Sequence, residues 1–140
     1  MITKLSHSCI FVLDQDSAKD FYINKLGFEI RTEASMGPGV KWLTVGPKDQ
    51  PDFEIVLTPI SSKMMFTEET AAQMRELVKK GTFGFGVFEC NDIYATYEEL
   101  KAKGVEFTKP PKEEFYGIEA LFKDDSGNWF SLGQSKKDKQ

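Results

Sequence analysis

Apolar and polar positions alternate through residues 4–13 and divide that segment into two faces. Ile10 and Val12 fall on one face, and His7, Cys9 and Phe11 fall on the other. The period then becomes helical. Ala18, Phe21, Tyr22 and Leu26 recur on one stripe, opened by Asp16 or Ser17 as cap and closed by Gly27. Such a stripe needs an apolar floor, which Ile10 and Val12 supply. His7, Cys9 and Phe11 are therefore expected on the side of the sheet away from the helix. Strands follow at residues 28–34, 40–45 and 53–58, separated by the turn-forming Met36-Gly37-Pro38-Gly39 and by residues 46–52. The order to this point is βαβββ.

The same grammar returns in the second half. Residues 84–90 read as an apolar strand, Asn91-Asp92 opens a helix carrying Ile93, Tyr97 and Leu100 inward, and Gly104-Val105-Glu106-Phe107 repeats the Gly27-Phe28-Glu29-Ile30 joint. Gly27 and Gly104 lie 77 residues apart (104 − 27), an offset that carries Asp14 onto Asn91. A fixed offset of this kind marks an internal repeat, which governs the fold. Further strands are expected at 105–108, 118–123 and 129–133. Pro110-Pro111 should stop the first of these, and Asp124-Asp125-Ser126-Gly127-Asn128 should turn a hairpin before the last. Between the repeats, Thr67 caps a helix with Glu68 and Glu69 at its start, Lys79 and Lys80 at its end, and Ala71, Met74, Leu77 and Val78 on its apolar face.

The pattern thus predicts an α+β fold of two βαβββ modules. Residues 1–60 form the first module, 61–81 a linker with a helix, 82–134 the second module and 135–140 a charged tail expected to fray. Modules this small bury little surface alone and are expected to share a core.

Composition narrows the function classes. The chain has 140 residues, a net charge of −4 and twelve Phe, with a pI near 5.1. An acidic balance argues against nucleic acid, whose binding rests on phosphate neutralisation. No run approaches the roughly 18 apolar residues that span a membrane. Cys9 and Cys90 sit within strands and read as reduced core residues, and the N-terminus lacks a signal-peptide pattern. A cytoplasmic protein is the expectation. No phosphate loop, nucleophile elbow or dinucleotide fingerprint occurs.

His7 in the first strand, the Asp20-Phe21-Tyr22 and Leu26-Gly27-Phe28 helix exit, Lys103-Gly104-Val105 and the Asp124–Asn128 turn together resemble the vicinal oxygen chelate superfamily. That superfamily holds glyoxalase I, the bleomycin resistance proteins and the extradiol dioxygenases. The resemblance covers residues 4–134. It implies curled mixed sheets around a groove, completed in many members by a homodimer. It also implies up to four metal ligands, on the first, fourth, fifth and eighth strands. Carried onto this chain, those positions are His7, Val56, Phe85 and Ser131, so His7 is the only matching ligand. A transition metal wants three or four N, O or S donors at about 2 Å, so no cofactor is expected. A divalent metal on a spread set of His7, Cys9, Glu54 and Glu89 is the alternative.

What remains is a cavity rather than a chelate. His7, Cys9, Phe11, Glu54, Val56, Phe85, Val87, Trp129 and Ser131 are expected to line it, with Trp42 adding a stacking face. Apolar walls with a few polar handles are the usual make-up of a ligand pocket. The leading expectation is a protein with a degenerate metal site that binds a small, planar or aromatic molecule. The first alternative is an enzyme. It would be a glyoxalase-I-like lyase or a dioxygenase with an atypical metal site, or a metal-free isomerase using His7 and Glu54 as an acid–base pair. The second is a ligand-free dimeric interaction protein using Met64-Met65-Phe66. Glu119 reads as a buried acid or, the leading expectation, a solvated strand residue.

Overall fold

Ile10 and Val12 are buried in β1 (His7–Val12), and the helix that follows closes over them. In this computed structural model the structure describes residues 1–136. The chain divides into two compact units, Met1–Val78 and Lys79–Gln140. In the first, β1, β2 (Glu29–Ser35), β3 (Lys41–Gly46) and β4 (Glu54–Pro59) form one mixed sheet in the order β1-β4-β3-β2. In the second, β5 (Gly84–Glu89), β6 (Glu106–Glu114), β7 (Gly117–Lys123) and β8 (Trp129–Ser135) repeat that plan as β5-β8-β7-β6. In each sheet the first strand runs parallel to the last, and the other pairs are antiparallel. The sheets are curled but not closed. The 77-residue repeat seen in the sequence places His7 and Gly84 at the starts of the equivalent strands.

In the first unit, α1 (Gln15–Asp20) continues into a π-helical turn, Phe21–Lys25. The cap is Asp14, whose Oδ1 accepts from Ser17 N at 2.8 Å, rather than Asp16 or Ser17. Asp14 is the last extended residue (φ −147°), and only there can a side chain reach back to the first free amides. Gly27 ends the helix in the left-handed region (φ 77°), as its sequence position suggested. Gln15 is buried. Its amide donates to the carbonyls of Lys41 and Leu57 and accepts from Lys41 N, so one side chain fixes the helix against β3 and β4.

α2 (Glu68–Lys79) packs Ala71 and Val78 against Ile60, with Phe11, Leu13, Phe66 and Met74 around them. Thr67 Oγ1 caps it by accepting from Thr70 N at 3.1 Å. Leu77, expected on the apolar face, is exposed. Phe66 lies edge-on to Phe11 at 5.4 Å, so of Met64-Met65-Phe66 only the methionines are exposed.

In the second unit, α3 (Ile93–Ala102) is capped by Asp92, and Tyr97 packs edge-on to Phe107 at 4.7 Å. The strand expected to stop at Pro110-Pro111 instead runs through them to Glu114. β6 is an edge strand, and its pairing with β7 slips between Lys109 and Lys112. A proline that faces solvent at a slip removes no ladder bond. The hairpin before β8 is held by Asp124, whose Oδ1 accepts from the amides of Ser126, Gly127 and Asn128, each at 2.9 Å. β8 extends to Ser135, the first residue of the expected tail, and residues 137–140 lie outside the described residues.

Candidate functional site

Each sheet carries its helix on one face and leaves side chains of alternate parity on the other. On the first unit's open face the register pairs His7 with Glu54, Cys9 with Val56 and Phe11 with Thr58. Thr44 lies opposite Val56, and Trp42 shares the parity of Thr44 on β3. The six predicted residues of this unit, His7, Cys9, Phe11, Trp42, Glu54 and Val56, therefore share one face.

His7 and Glu54 come closer than strand spacing alone indicated. The parallel register sets Glu54 directly beside His7. His7 Nε2 is 3.4 Å from Glu54 Oε2. Thr44 Oγ1 donates to Glu54 Oε1 at 2.6 Å, and Ser6 Oγ is 2.8 Å from His7 Nδ1. The Trp42 ring adjoins the imidazole, with centroids 6.1 Å apart and planes tilted by 44°. Trp42 remains 38% exposed, and the His7 side chain 39%. An indole, an imidazole and a carboxylate oriented by a hydroxyl thus stand together in reach of solvent. That arrangement can stack a flat ring and exchange hydrogen bonds with its substituents.

The second unit's open face differs. Ser131 sits beside Val87, and Trp129 lies with its ring over Gly84, where an added Cβ would meet the indole at 2.3 Å. Phe85, expected beside them, is on the opposite side and packs edge-on to Phe130 at 5.8 Å. The pairing of β5 with β8 shifts between Gly84 and Val87. One irregularity reverses the alternation, so Val87 and Glu89 face outward and the half-buried Phe85 turns to the side of Phe130.

At the centre of this face is Glu119, a partly buried network residue rather than a solvated one. Its Oε1 accepts from Lys109 Nζ and Tyr116 OH, both at 3.0 Å, and its Oε2 from Ser131 Oγ at 2.8 Å. The Lys109 bond, followed by the Ser131 bond, holds the Glu119 carboxyl below the usual range. The same pairing raises Lys109, while desolvation and then the bond to Glu119 raise the Tyr116 phenol. Sequence reading missed Lys109, Tyr116 and Thr44. Their one signal was position: polar residues on the strand parity that leaves the core.

A family model described as Glyoxalase/Bleomycin resistance protein/Dioxygenase superfamily matches residues 4–132. The chain belongs to this superfamily. Among solved structures, UcmS2 is 50% identical with a TM-score of 0.89, the match covering 95% of this chain and 98% of that one. TnmS3, described as an antibiotic binding protein from Streptomyces sp. CB03234, is 27% identical with a TM-score of 0.74, covering 96% and 98%. The uncharacterized protein YetH of Bacillus subtilis (strain 168) is 36% identical over 94% of this chain and 98% of its own length.

Within the superfamily's four metal positions, Val56 and Phe85 carry no donor atom, and the Ser131 hydroxyl is committed to Glu119. Among the described residues no three of His, Cys, Asp and Glu come together as a metal-binding group. His7 and Glu54 supply two donors where the superfamily's metal requires three or four. On the first unit's face, Trp42, His7 and Glu54 can support stacking, hydrogen bonding and proton exchange. Also among the described residues, no helix is long and apolar enough to cross a membrane.

Proposed function

We propose that the protein binds a small molecule with a planar aromatic part and that its metal site is degenerate. The observation that carries this reading is the half-exposed Trp42 beside the His7–Glu54 pair on an open sheet face. A large indole left uncovered on a strand that is otherwise buried costs solvation free energy that a stacked ring recovers. The similarity to TnmS3, described as antibiotic binding, supports the same class of activity. In this reading Trp42 stacks, His7 and Glu54 orient ring substituents, and Cys9 and Val56 extend the surface, while Phe11 bounds it where it packs against Phe66 and α2. Trp129 and Ser131 are assigned to the same function on the second unit. Phe85 drops out of the proposed set because its ring packs edge-on to the buried Phe130 on the other face. The proposed working form is a cytoplasmic homodimer, to be checked by sedimentation equilibrium.

The test is a fluorescence titration with naphthalene and quinoline derivatives, with Trp42→Phe and Trp129→Phe separating the two indoles. Saturable quenching that disappears in Trp42→Phe and is unchanged by a chelator is the expected result. Quenching that survives in Trp42→Phe, or vanishes on chelation, overturns it.

A second reading is favoured by one contact. With Glu54 3.4 Å from His7 Nε2, the imidazole has an orienting carboxylate, as a general base does. A metal-free isomerisation would then have His7 remove a proton beside a carbonyl and return it to a neighbouring carbon. Exchange of substrate C–H for deuterium, lost in His7→Ala, distinguishes this from binding alone.

A further inference from the structure

Three of the chain's five methionines stand around one cavity of the first unit. Its volume is about 500 Å³. The β2–β3 hairpin supplies one wall with Met36, Pro38 and Val40, and the turn after β4 supplies the other with Lys63, Met64 and Met65. Ligand cavities run to about 300–1,000 Å³, so the size suits a small molecule. No lining residue belongs to the Trp42–His7–Glu54 face.

The backbone holds these methionines out in water. Ile60 is buried and its carbonyl accepts from the Arg75 guanidinium of α2, while Phe66 packs on Phe11. The residues between are thus pinned at both ends. Ser61 closes their turn, its carbonyl accepting from Met64 N at 3.3 Å and its hydroxyl from Lys63 N at 3.1 Å. On the opposite wall Met36 N donates to the Val40 carbonyl at 2.9 Å. Gly37 and Gly39 take the positive φ (125° and 74°) that turns this hairpin around Pro38. Met36 is left 54% exposed, Met64 39% and Met65 70%. Apolar side chains clustered in water mark interaction sites, as singly scattered ones do not.

The walls narrow the occupant. None of the lining residues is acidic, and Lys63 Nζ makes no hydrogen bond or ion pair among the described residues. In a chain of net charge −4, this free ammonium at the rim is answered by an anion. A neutral apolar molecule leaves it unpaired, and a cation is repelled by it. Methionine side chains are unbranched, flexible and polarisable, so they mould to a flexible chain as the rigid indole of Trp42 does not.

We propose that this cavity binds an amphipathic carboxylate, with a medium-chain acyl tail among Met36, Met64 and Met65 and its head on Lys63. The tail displaces water from three thioether side chains, and the head accepts from the Lys63 ammonium. A second copy of the chain, which could also cover the methionines, is the rival occupant. The site does not depend on the aromatic reading of the open face.

Octanoate is the probe and 1-octanol its uncharged control, each followed by the methionine methyl shifts of the full chain. Saturable shifts at Met36, Met64 and Met65, with the exposed Met1 methyl unmoved, are the expected result. Hexanoate should bind about tenfold more weakly, since each fully buried methylene changes affinity about fourfold. Lys63→Gln should weaken octanoate about threefold, the scale of an exposed charge pair, and leave 1-octanol unchanged. Lys63 is exposed, so its variant keeps the fold. Equal affinity for octanoate and 1-octanol, equal affinity for octanoate and hexanoate, or no effect of Lys63→Gln overturns the site. So do shifts of the same methyls on raising the protein concentration alone, which make a second copy the occupant. Trp42→Phe should leave octanoate binding intact, and loss of binding there would overturn a separate site.

Discussion

Single residues hold the local geometry on which both faces depend, and Asp124 is the clearest case. Its buried carboxylate accepts from three consecutive turn amides, and its Oδ2 accepts from Asn128 Nδ2 at 3.0 Å. These bonds set the entry of β8, and so the positions of Trp129, Ser131 and Gly133. Removing the carboxylate leaves several inward-facing N–H groups without an acceptor, and hydrogen bonds to a charged group contribute about 1.5–3 kcal/mol. Asp124→Ala should therefore lower stability by about 3 kcal/mol, read as a reduced urea midpoint with little change in slope. A loss under about 1 kcal/mol would mean that the turn holds without it.

Elements act through register, which decides which residues the sheets bring together. The Lys109–Glu119–Tyr116–Ser131 network spans three strands and makes a pH-dependent contribution to stability. Glu119 is lowered from its ordinary value of 4.5, chiefly by Lys109 and then by Ser131. A carboxyl lower in the folded than in the unfolded chain stabilises fully above its unfolded pKa, and this is lost as pH falls through the folded value. Lys109 is raised from 10.5 and gives the opposite limb, present below its unfolded value and lost as pH rises through the folded one. The stability gap between the native chain and Glu119→Gln should accordingly be steady from about pH 6 to about pH 9 and narrow toward about pH 3. A gap that does not change over the acid range would show that Glu119 is not held ionised by these partners.

The same level explains what the sequence made legible. The alternation of His7, Cys9 and Phe11 against Ile10 and Val12 was readable because β1 has no irregularity, and the structure keeps those two faces. The repeat was readable because Gly27 and Gly104 both need the left-handed backbone that ends a helix. Phe85 was misplaced because a shift between Gly84 and Val87 turns the alternation over, and no residue type marks such a shift on its own. Pro110-Pro111 misled for a related reason, since proline forbids a central strand but not an edge one. The proximity of His7 to Glu54 and the whole Glu119 network depend on inter-strand pairing, which spacing along one strand does not encode.

At the scale of the whole molecule, ligand binding is a linkage between a site and the folded state. A molecule that binds only the folded chain adds RT ln(1 + [L]/Kd), about 2.7 kcal/mol at a hundredfold excess over Kd. For a chain of this length each kcal/mol moves the midpoint by about 2–4 °C. A saturating aromatic ligand of the first unit should thus raise the melting midpoint by about 5–10 °C. A structural metal acts by the same linkage in reverse, so chelation would lower the midpoint of a chain that depends on one. With two donors at His7 and Glu54, no change on adding EDTA is the expected outcome. Trp42→Phe should keep the unliganded midpoint within about 2 °C while losing most of the ligand-induced rise, because its indole is partly exposed rather than packed in the core. A chelator-induced fall in the midpoint would instead return metal-dependent lyase or dioxygenase chemistry to this face, since only a bound ion links EDTA to folding.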